Sequence, residues 1–379
     1  MCGFFATFSP DAGQRSLELQ ARLAEALEHR GPDDFQTLHL DGCHVLFWRL
    51  SIVDVAGGRQ PMNSADGQTT VVYNGEIYNY KALKRGLVRR GHTFRTESDT
   101  EVLLRAYEEW GVAAFSRFEG MFAACIIDRC HNRVVLARDV LGVKPLYFAA
   151  EQGRLVIASE QKAILADRQT PCLDRSAFTS YLLLQTVPDS RTFFSGISKV
   201  PPGMVLEFAF DCLQPLSAEP IRRRRSVEQR RYVDYRRNVR RTIIEQVRLA
   251  TDTELSACFH LSGGIDSNLL VGLSRRLHPG RSFTCVSSYV EGPADPEFAH
   301  IRQAAEHHGV RLKSVDVNAE TFFDAIDDVL YYLDEPVGDP GVVAQFLVNR
   351  LASEEAKLVY SGQGLDEMFF GYSRDLAAY

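Results

Sequence analysis

The second residue of the chain, Cys2, is its first candidate for chemistry, because the sequence begins MCGFF. Removal of Met1 would give this cysteine a free α-amine with an unperturbed pKa of about 7.7 to 8. One residue would then supply a thiol nucleophile and the base that accepts its proton. A buried structural cysteine is the alternative, and Cys2 alone does not decide between the two.

A second candidate is the stretch NGEIYN, which directly follows the apolar run TTVVY. Attack of a thiol on an amide creates an oxyanion, which needs fixed hydrogen-bond donors. The Asn74 amide and the Gly75 backbone N–H, placed on a tight turn, are the predicted donors. An Asn-Gly pair is also a common hairpin turn, and that alternative remains open on this pattern.

A third candidate is FHLSGGIDSNLLVGL at 259–273, which is typical of a strand, a loop of small residues and a helix. Small residues let backbone N–H groups converge on a phosphate at the helix N-terminus. Asp266 is placed to hold a magnesium ion that shields the phosphate charge. The pattern differs from that of a Walker-type NTPase, which is therefore disfavoured.

The helices and strands that must position these residues are arranged differently in two parts of the chain. Up to about residue 160 the sequence predicts two helices, RSLELQARLAEALEHRG and TEVLLRAYEEWG, and short strands, namely FFATFS, HVLFW, TTVVYN, FAACIID, RVVLAR, LYFAA and RLVIAS. Strands packed on helices indicate a layered α+β domain. From about residue 254 strands alternate with helices, which indicates an α/β, doubly wound parallel sheet that binds ligands outside the carboxyl ends of its strands.

Length and composition limit the class of protein. The chain has 379 residues, 45% of them hydrophobic, and a net charge of −6, which is enough for two domains and gives no general attraction to nucleic acid. Its eight cysteines form no CxxC pair, as in proteins with reduced thiols. No run of about 18 apolar residues occurs. We therefore expect a cytoplasmic protein that binds no membrane.

An arginine-rich run occupies 222–241, where ten arginines occur. Apolar residues recur beside them at helical spacing, which predicts a helix with one apolar face and a solvated or interface role; they are Tyr232, Tyr235, Val239, Ile243 and Val247. Nucleic-acid binding, which would be salt-sensitive, is the less favoured interpretation.

Seven stretches of the first domain resemble class II glutamine amidotransferases of the asparagine synthetase type, in order and in approximate spacing. They are MCGFF, HRGPDD, RLSIVD, YNGEIYN, ESDTEV, GMFA and ARDVLGVKPLY. The resemblance implies an αββα sandwich of the N-terminal nucleophile type over residues 2–165, with Cys2 as the processed nucleophile that releases ammonia from glutamine. It also implies that Arg49 binds the glutamine α-carboxylate and that Asp99 binds its α-ammonium, while further pocket contacts come from Leu50, Ser51, Ile52, Val53, Asn74, Gly75 and Glu76.

The second domain resembles the ATP pyrophosphatase type of synthetase domain, through SGGIDS, DEPVGDPGVV and SGQGLDEMFFGY. The stretch between the two patterns predicts a connecting segment at 166–230, and the resemblance implies an ATP-binding synthetase domain at 231–379. It implies that Asp266 and Asp366 hold Mg²⁺, and that ATP is bound by His260, Ser262, Gly263, Gly264, Asp266, Ser267, Val286, Ser361 and Gly362.

Two departures from this family pattern stand in the second domain. Gln363 replaces an acid that is thought to help deprotonate the incoming nitrogen, and an amide has no such acid–base function. The chain ends at Tyr379, before a further helical region that the family carries, so we expect a synthetase sheet that is incomplete at the C-terminus. A split enzyme with a partner chain or a homo-oligomer, a fragment, and a glutaminase without amidation all remain open, and we prefer the partner-dependent form.

The expected function is glutamine hydrolysis at Cys2, with transfer of ammonia through an internal passage to an ATP-activated, adenylated carboxylate such as aspartate. The expected alternative is a glutaminase-only or regulatory, non-catalytic homologue with a degenerate synthetase domain. The carboxylate acceptor is left open by the sequence.

Overall fold

A computed structural model of the chain describes residues 1–9, 17–151, 153–168, 170–210, 215–221, 232–290, 292 and 295–372. The chain divides into two compact units, Met1–Ser226 and Val227–Tyr379. Among the described residues, no helix is both long and apolar enough to cross a membrane. Each unit has its own layers and is described by itself.

The first unit contains two antiparallel sheets. One sheet has the strand order β10-β8-β9-β1-β3-β2, formed by β1 (Gly3–Phe8), β2 (Asp34–Leu40), β3 (Cys43–Arg49), β8 (Tyr147–Glu151), β9 (Arg154–Ala158) and β10 (Ser198–Lys199). The other has the order β12-β11-β7-β6-β5-β4, formed by β4 (Met62–Asn63), β5 (Thr69–Ile77), β6 (Gly120–Asp128), β7 (Arg133–Arg138), β11 (Met204–Ala209) and β12 (Ser217–Pro220).

The two sheets pack face to face and are covered by helices on their outer faces. The helices are α1 (Leu17–Leu27), α2 (Tyr80–Val88), α3 (Asp99–Trp110), α4 (Gln161–Asp167) and α5 (Arg175–Leu184), with 3₁₀ turns at Glu28–Arg30 and Gly111–Arg117. A shared apolar core joins Phe4 and Phe47 of one sheet to Val72 and Cys125 of the other. Residues of α3 pack on the outer face of the second sheet, and residues of α1 and α4 on that of the first. The predicted αββα sandwich is confirmed.

Burial explains which strands the sequence reveals. All residues of β1 and β3 are buried, because each strand has the other sheet on one face and helices on the other, so both appear as continuous apolar runs. Strand β2, at the sheet edge, alternates between exposed and half-buried residues and was not predicted. Strands β10, β11 and β12 lie in the segment predicted as a connection, and each pairs with a strand of the sandwich. The domain boundaries stay a prediction.

The second unit contains a parallel sheet of order β15-β14-β13-β16, formed by β13 (Ala257–His260), β14 (Thr284–Val290), β15 (Arg311–Val317) and β16 (Leu358–Tyr360). Its helices are α6 (Tyr232–Ala250), α7 (Ile265–Leu277), α8 (Pro296–His308), α9 (Ala319–Leu333), α10 (Gly341–Ser353) and α11 (Leu365–Phe369). One apolar cluster packs α7 and α8 against the sheet, and two others pack α9 and α10. Helices thus cover both faces, which confirms the doubly wound prediction.

The arginine-rich run is described only from Tyr232 onward, and residues 222–231 lie outside the described part of the chain. The predicted helix is present as α6. Of its predicted apolar face, Val239, Ile243 and Val247 are half-buried. Tyr235 is 54% exposed, so the apolar face does not extend to this residue.

Candidate active site

The first site lies where β1 begins, beside the end of β3 and the middle of β5. Cys2 directly precedes β1, and its thiol donates a hydrogen bond to the Leu50 carbonyl at 3.6 Å. Burial raises the pKa of the thiol, while the Leu50 contact, the terminal amine and Arg49 act in the opposite direction. A buried thiol of this kind needs a base to become a nucleophile.

A base of the right kind lies next to the thiol. Burial lowers the pKa of the terminal α-amine, here that of Met1, to about 5, and the positive charges of Arg30 and Lys144 lower it further against the opposing effect of Cys2. An amine with this pKa carries no proton at neutral pH, so it can accept one. This pKa belongs to the amine of Met1, whereas the amine expected to act as the base is that of Cys2, one residue further along the chain.

Asn74 and Gly75 lie inside β5 and not on a tight turn, which corrects the prediction and excludes the hairpin alternative. Strand β5 runs through both residues in unbroken register with β6, where Asn74 faces Ala123 and Gly75 faces Phe122. A Cβ at Gly75 would come within 2.2 Å of the Met121 carbonyl oxygen, so only glycine allows this approach. The strand continues because β6 pairs with it on one side.

The Asn74 side chain is the strongest geometric signal of this site. Side chains alternate along a strand, so Asn74 projects to the same face as Val72, which lies in the core between the sheets with Cys2 packed against it. Asn74 is only 1% exposed, and neither atom of its amide has a hydrogen-bond partner among the described residues. An unpaired buried amide costs free energy, about 1 to 3 kcal/mol, which a ligand at this position would recover.

The Gly75 N–H points to a free edge of β5. The N–H groups of Tyr73 and Ile77 donate to side chains at that edge, Gln60 at 2.7 Å and Asp99 at 3.1 Å. Because strand N–H groups alternate in direction, the Gly75 N–H faces the same edge, where no described side chain accepts it. The strand thus offers two donors, an amide and a backbone N–H, from consecutive residues.

Arg49 and Asp99 carry opposite charges and lack partners of opposite charge. Arg49 is 5% exposed, and its guanidinium donates to the carbonyls of Val55 at 2.7 Å and Asp54 at 2.9 Å. Asp99 is 4% exposed and accepts from the Tyr73 hydroxyl at 2.9 Å. No ion pair of either residue occurs in the described part of the chain. Both charges shift the pKa of the Cys2 thiol, which Arg49 lowers and Asp99 raises. A carboxylate and an ammonium on one small ligand would complement them.

The remaining predicted pocket residues surround these groups. The Leu50 carbonyl contacts the thiol, and the Ser51 N–H donates to Asp33 at 2.7 Å. Burial and the charge of Asp99 raise the pKa of Glu76 to about 7, against the opposing charge of Lys144. Glutamine binding by Leu50, Ser51, Ile52, Val53 and Glu76 stays a prediction.

The second site is a cavity of about 670 Å³ at the carboxyl ends of β13, β14 and β16. Of the residues predicted to bind ATP, all except Gly263 line it, together with Asp366. A Cβ at Gly362 would come within 2.9 Å of the Ser267 backbone nitrogen, so the two loops touch through their backbones. The Ser267 hydroxyl also accepts from the Ser262 N–H at 3.1 Å, which closes the loop over the start of α7.

Acidic side chains gather at the mouth of this loop. Burial raises the pKa of Asp266, and the negative charges of Asp366 and Glu367 raise it further. The described residues hold no cluster of three or more metal-ligating side chains. Carboxylates that repel one another fit a Mg²⁺ ion that takes its other ligands from nucleotide phosphates, which is how this cation is commonly bound.

Comparisons with known proteins give a separate family match for each of the two sites. Residues 1–215 match the glutamine amidotransferase domain, and residues 238–379 match the asparagine synthase family. The chain belongs to the asparagine synthetase family. The asparagine synthetase [glutamine-hydrolyzing] 1 of Bacillus subtilis (strain 168) is 30% identical over 382 residues, which cover 98% of this chain and 59% of the relative.

Other members of the asparagine synthetase family show similar identity. A putative asparagine synthetase [glutamine-hydrolyzing] of Mycobacterium tuberculosis (strain ATCC 25618 / H37Rv) is 34% identical over 406 residues, which cover 98% of this chain and 60% of the relative. The amidase chry2 of Gibberella zeae is 30% identical over 397 residues, with coverage of 96% and 56%. The chain therefore spans about three-fifths of the length of the first curated relatives that it matches.

Two residues beside the predicted His260, Asn349 and Gln345, were not predicted from the sequence. The His260 ring lies 3.0 Å from the Asn349 side chain and 3.4 Å from that of Gln345, and Gln345 lines the cavity. Burial lowers the pKa of His260, so its ring is neutral. Gln345 lies two positions after the end of the stretch DEPVGDPGVV. This closeness is the only sequence signal that could have indicated it.

Proposed function

We propose that this chain is a glutamine-dependent amidotransferase of the asparagine synthetase type, in which Cys2 releases ammonia from glutamine. The observation that supports this best is the buried amide of Asn74, which has no hydrogen-bond partner among the described residues and lies on the core face where Cys2 packs. The buried guanidinium of Arg49 and carboxylate of Asp99 have hydrogen bonds but no ion-pair partner among the described residues. Glutamine carries a carboxamide, a carboxylate and an ammonium, which match these groups in number and in charge.

The proposed reaction uses the terminal residue after loss of Met1. Its amine accepts the thiol proton, and the sulfur attacks the carboxamide carbon of glutamine. The Asn74 amide and the Gly75 N–H donate to the resulting oxyanion. The amine then returns the proton to the departing nitrogen, ammonia leaves, and a thioester remains. Water attacks this thioester to give glutamate and the free thiol.

In the second half of the proposed reaction, a carboxylate attacks the α-phosphorus of ATP and displaces pyrophosphate. Ammonia then attacks the acyl-adenylate to form the amide and displaces AMP. The loop from Ser262 to Ser267 would hold the pyrophosphate, and Asp266 and Asp366 would hold Mg²⁺, which neutralises phosphate charge. Aspartate is the acceptor suggested by the relatives named asparagine synthetase, while the relative named amidase chry2 leaves other carboxylates open. A partner chain that completes the synthetase site is part of the proposal.

The first test is glutamine hydrolysis by the purified chain without ATP. We expect glutamate and ammonia in equal amounts, together with an intact mass that shows the loss of Met1. A diazoketone analogue of glutamine should label Cys2 stoichiometrically and abolish activity. Active protein that still carries Met1 would contradict the proposed base, and labelling at another residue would contradict the nucleophile.

For the second site we expect Asp266→Asn to weaken Mg²⁺-dependent ATP binding by about tenfold or more, because a neutral amide no longer neutralises the cation. Glutamine hydrolysis should remain unchanged, since Asp266 belongs to the other unit. Isothermal titration with and without Mg²⁺ measures the effect. Asp324→Asn, which alters an exposed acid of α9, is the matched control and should leave binding unchanged. Equal affinity of the two variants would contradict the assignment.

One observation favours the alternative in which ATP binds without amidation. Gln363 lines the cavity at the position where an acid was expected, and its amide donates to Glu367 at 3.3 Å. A pyrophosphate assay with ATP, aspartate and other carboxylates distinguishes the two. Pyrophosphate that appears only with an acceptor and ammonia supports amidation, whereas its absence in every combination supports the alternative.

A further inference from the structure

The guanidinium of Arg49 is held by the backbone of a single turn, the carbonyl turn (residues 53–58). Its Nη1 donates to the Val55 carbonyl at 2.7 Å, and its Nη2 donates to the Asp54 carbonyl at 2.9 Å and to the Val53 carbonyl at 3.4 Å. Among the described residues, these carbonyls are the only hydrogen-bond acceptors of the guanidinium. The position of Arg49 therefore depends on the shape of this turn.

Asp54 adopts an uncommon backbone conformation within the carbonyl turn. Its φ is 44°, in the left-handed region that is costly for most side chains and that short polar residues tolerate best. Its carbonyl closes the turn, because it accepts from the Gly58 N–H at 2.8 Å as well as from Arg49. A conformation of this kind persists only where surrounding contacts hold it in place.

The Asp54 carboxylate supplies such contacts. Its Oδ1 accepts from the Gly57 N–H at 2.8 Å, across the turn. Its Oδ2 accepts from the Glu97 N–H at 2.8 Å, on the segment that leads into α3. Hydrogen bonds to an ionised group are stronger than those between neutral groups. One carboxylate thus joins the carbonyl turn to the start of a helix that is distant in sequence.

The segment that leads into α3 is itself firmly held, so it can serve as the fixed point. The buried Glu101 carboxylate accepts from the N–H groups of Arg95 at 3.0 Å and Thr96 at 2.7 Å. The Ser98 side chain caps the N-terminus of the helix. By contrast, Val55 in the carbonyl turn is 59% exposed. The shared carboxylate therefore ties a surface turn to a fixed helix start.

Two glycines let the turn close around the charged groups. A Cβ at Gly57 would come within 2.4 Å of the Asp54 carboxylate. A Cβ at Gly58 would come within 2.7 Å of the Arg49 Nη2. The same Cβ would come within 3.0 Å of the Ser98 hydroxyl oxygen. Because the turn, the guanidinium and the helix start are packed this closely, a shift of the turn moves the guanidinium as well.

We infer that Asp54 is a positioning residue of the glutamine site, whose carboxylate fixes the carbonyl turn so that Arg49 meets the α-carboxylate of the substrate. This inference rests on the proposed glutaminase function and adds a residue to it. Asp54 acts through Arg49 and takes no part in the chemistry at Cys2. Asp99, at the first position of α3, keeps its place without Asp54, because the helix start has its own contacts.

Steady-state kinetics of glutamine hydrolysis test the inference. Asp54→Gly allows the left-handed backbone but removes both acceptors, so KM should rise about tenfold while kcat stays within about twofold of the wild type. Asp54→Asn, which keeps one acceptor oxygen, should raise KM by a smaller factor and is available if the glycine variant fails to fold. Unchanged KM, or a loss of kcat alone, would overturn the inference.

The matched control is Asp66→Gly, which removes an exposed aspartate from another turn of the same unit. The Asp66 carboxylate accepts from the Gln68 N–H at 3.0 Å, so it also holds a turn through a backbone contact. This variant should keep the KM of the wild type. A rise in KM equal to that of Asp54→Gly would show that loss of any turn contact has this effect, which would refute a specific role of Asp54.

Ligands that lack one charged group separate the positioning of Arg49 from a general loss of structure. The compound 4-carbamoylbutanoate lacks the α-ammonium of glutamine, and 4-aminobutanamide lacks its α-carboxylate. In competition with glutamine, Asp54→Gly should bind 4-carbamoylbutanoate about tenfold more weakly and 4-aminobutanamide as well as the wild type does. Equal weakening of both ligands would indicate a structural role and would contradict the inference.

Isothermal titration of glutamine into Cys2→Ala protein, which cannot turn the substrate over, separates this inference from the proposed function. Binding without hydrolysis by the wild type would refute the proposed reaction, while titration of Cys2→Ala with and without Asp54→Gly would still decide the role of Asp54. Hydrolysis by the wild type with equal affinity in the two titrations would refute the inference alone. Absence of glutamine binding in every sample would refute both.

Discussion

Cys2→Ala should reduce glutamate formation from glutamine by a factor on the order of 10⁴ or more, because the variant has no nucleophile with which to form the thioester. A coupled glutamate dehydrogenase assay measures the rate. Binding of glutamine should survive, since Arg49 and Asp99 remain in place. The expected signature is thus a loss of kcat with a nearly unchanged dissociation constant for glutamine.

Cys130→Ala is the matched control, because Cys130 is a free and exposed cysteine of the same unit. It should retain wild-type activity. Ammonia-dependent chemistry at the second site, if present, should survive in Cys2→Ala when ammonium salts replace glutamine. An equally active Cys2→Ala would show that this cysteine is structural, which is the alternative that the sequence left open.

Asn74→Ala should lower kcat by about 10² to 10³-fold, which is the usual cost of removing one oxyanion donor, about 2.7 to 4 kcal/mol. KM should change little, because the donor acts on charge that develops only in the transition state. The thermal midpoint should remain close to that of the wild type, since the amide has no hydrogen-bond partner among the described residues to lose. Steady-state kinetics and thermal unfolding of the same samples measure both effects.

The control for this variant is Asn63→Ala, in the neighbouring strand β4. Asn63 is exposed and accepts a hydrogen bond from the Thr70 hydroxyl at 2.7 Å, so it lies outside the site. Its kcat should stay within about twofold of the wild type. A raised KM with unchanged kcat in Asn74→Ala would assign Asn74 to substrate binding and would contradict its role as an oxyanion donor.

The layers of both units could be predicted from the sequence because their central strands are buried on both faces. Strands such as β1 and β3 appear as apolar runs, and the alternation of strands and helices after residue 254 indicated the parallel sheet. The edge strand β2 was missed because its residues are at most half-buried. Strands β10 and β12 are only two and four residues long, too short for a periodic pattern.

The error at Asn74 and Gly75 has a specific physical cause. The Asn-Gly pair favours a turn locally, but pairing with β6 and the edge contacts of Gln60 and Asp99 keep β5 extended through it. Tertiary contacts of this kind are not visible in a local pattern.

The position of Cys2 directly before β1 has a practical consequence for how this protein is produced. Cys2 is half-buried directly before β1, and every residue from Gly3 to Phe8 is buried in the sheet. An affinity tag fused upstream would keep the Cys2 nitrogen in a peptide bond and so remove the free amine that the proposed reaction uses. Purification handles therefore belong at the other end of the polypeptide, or must be cut off by a protease that leaves cysteine as the leading residue.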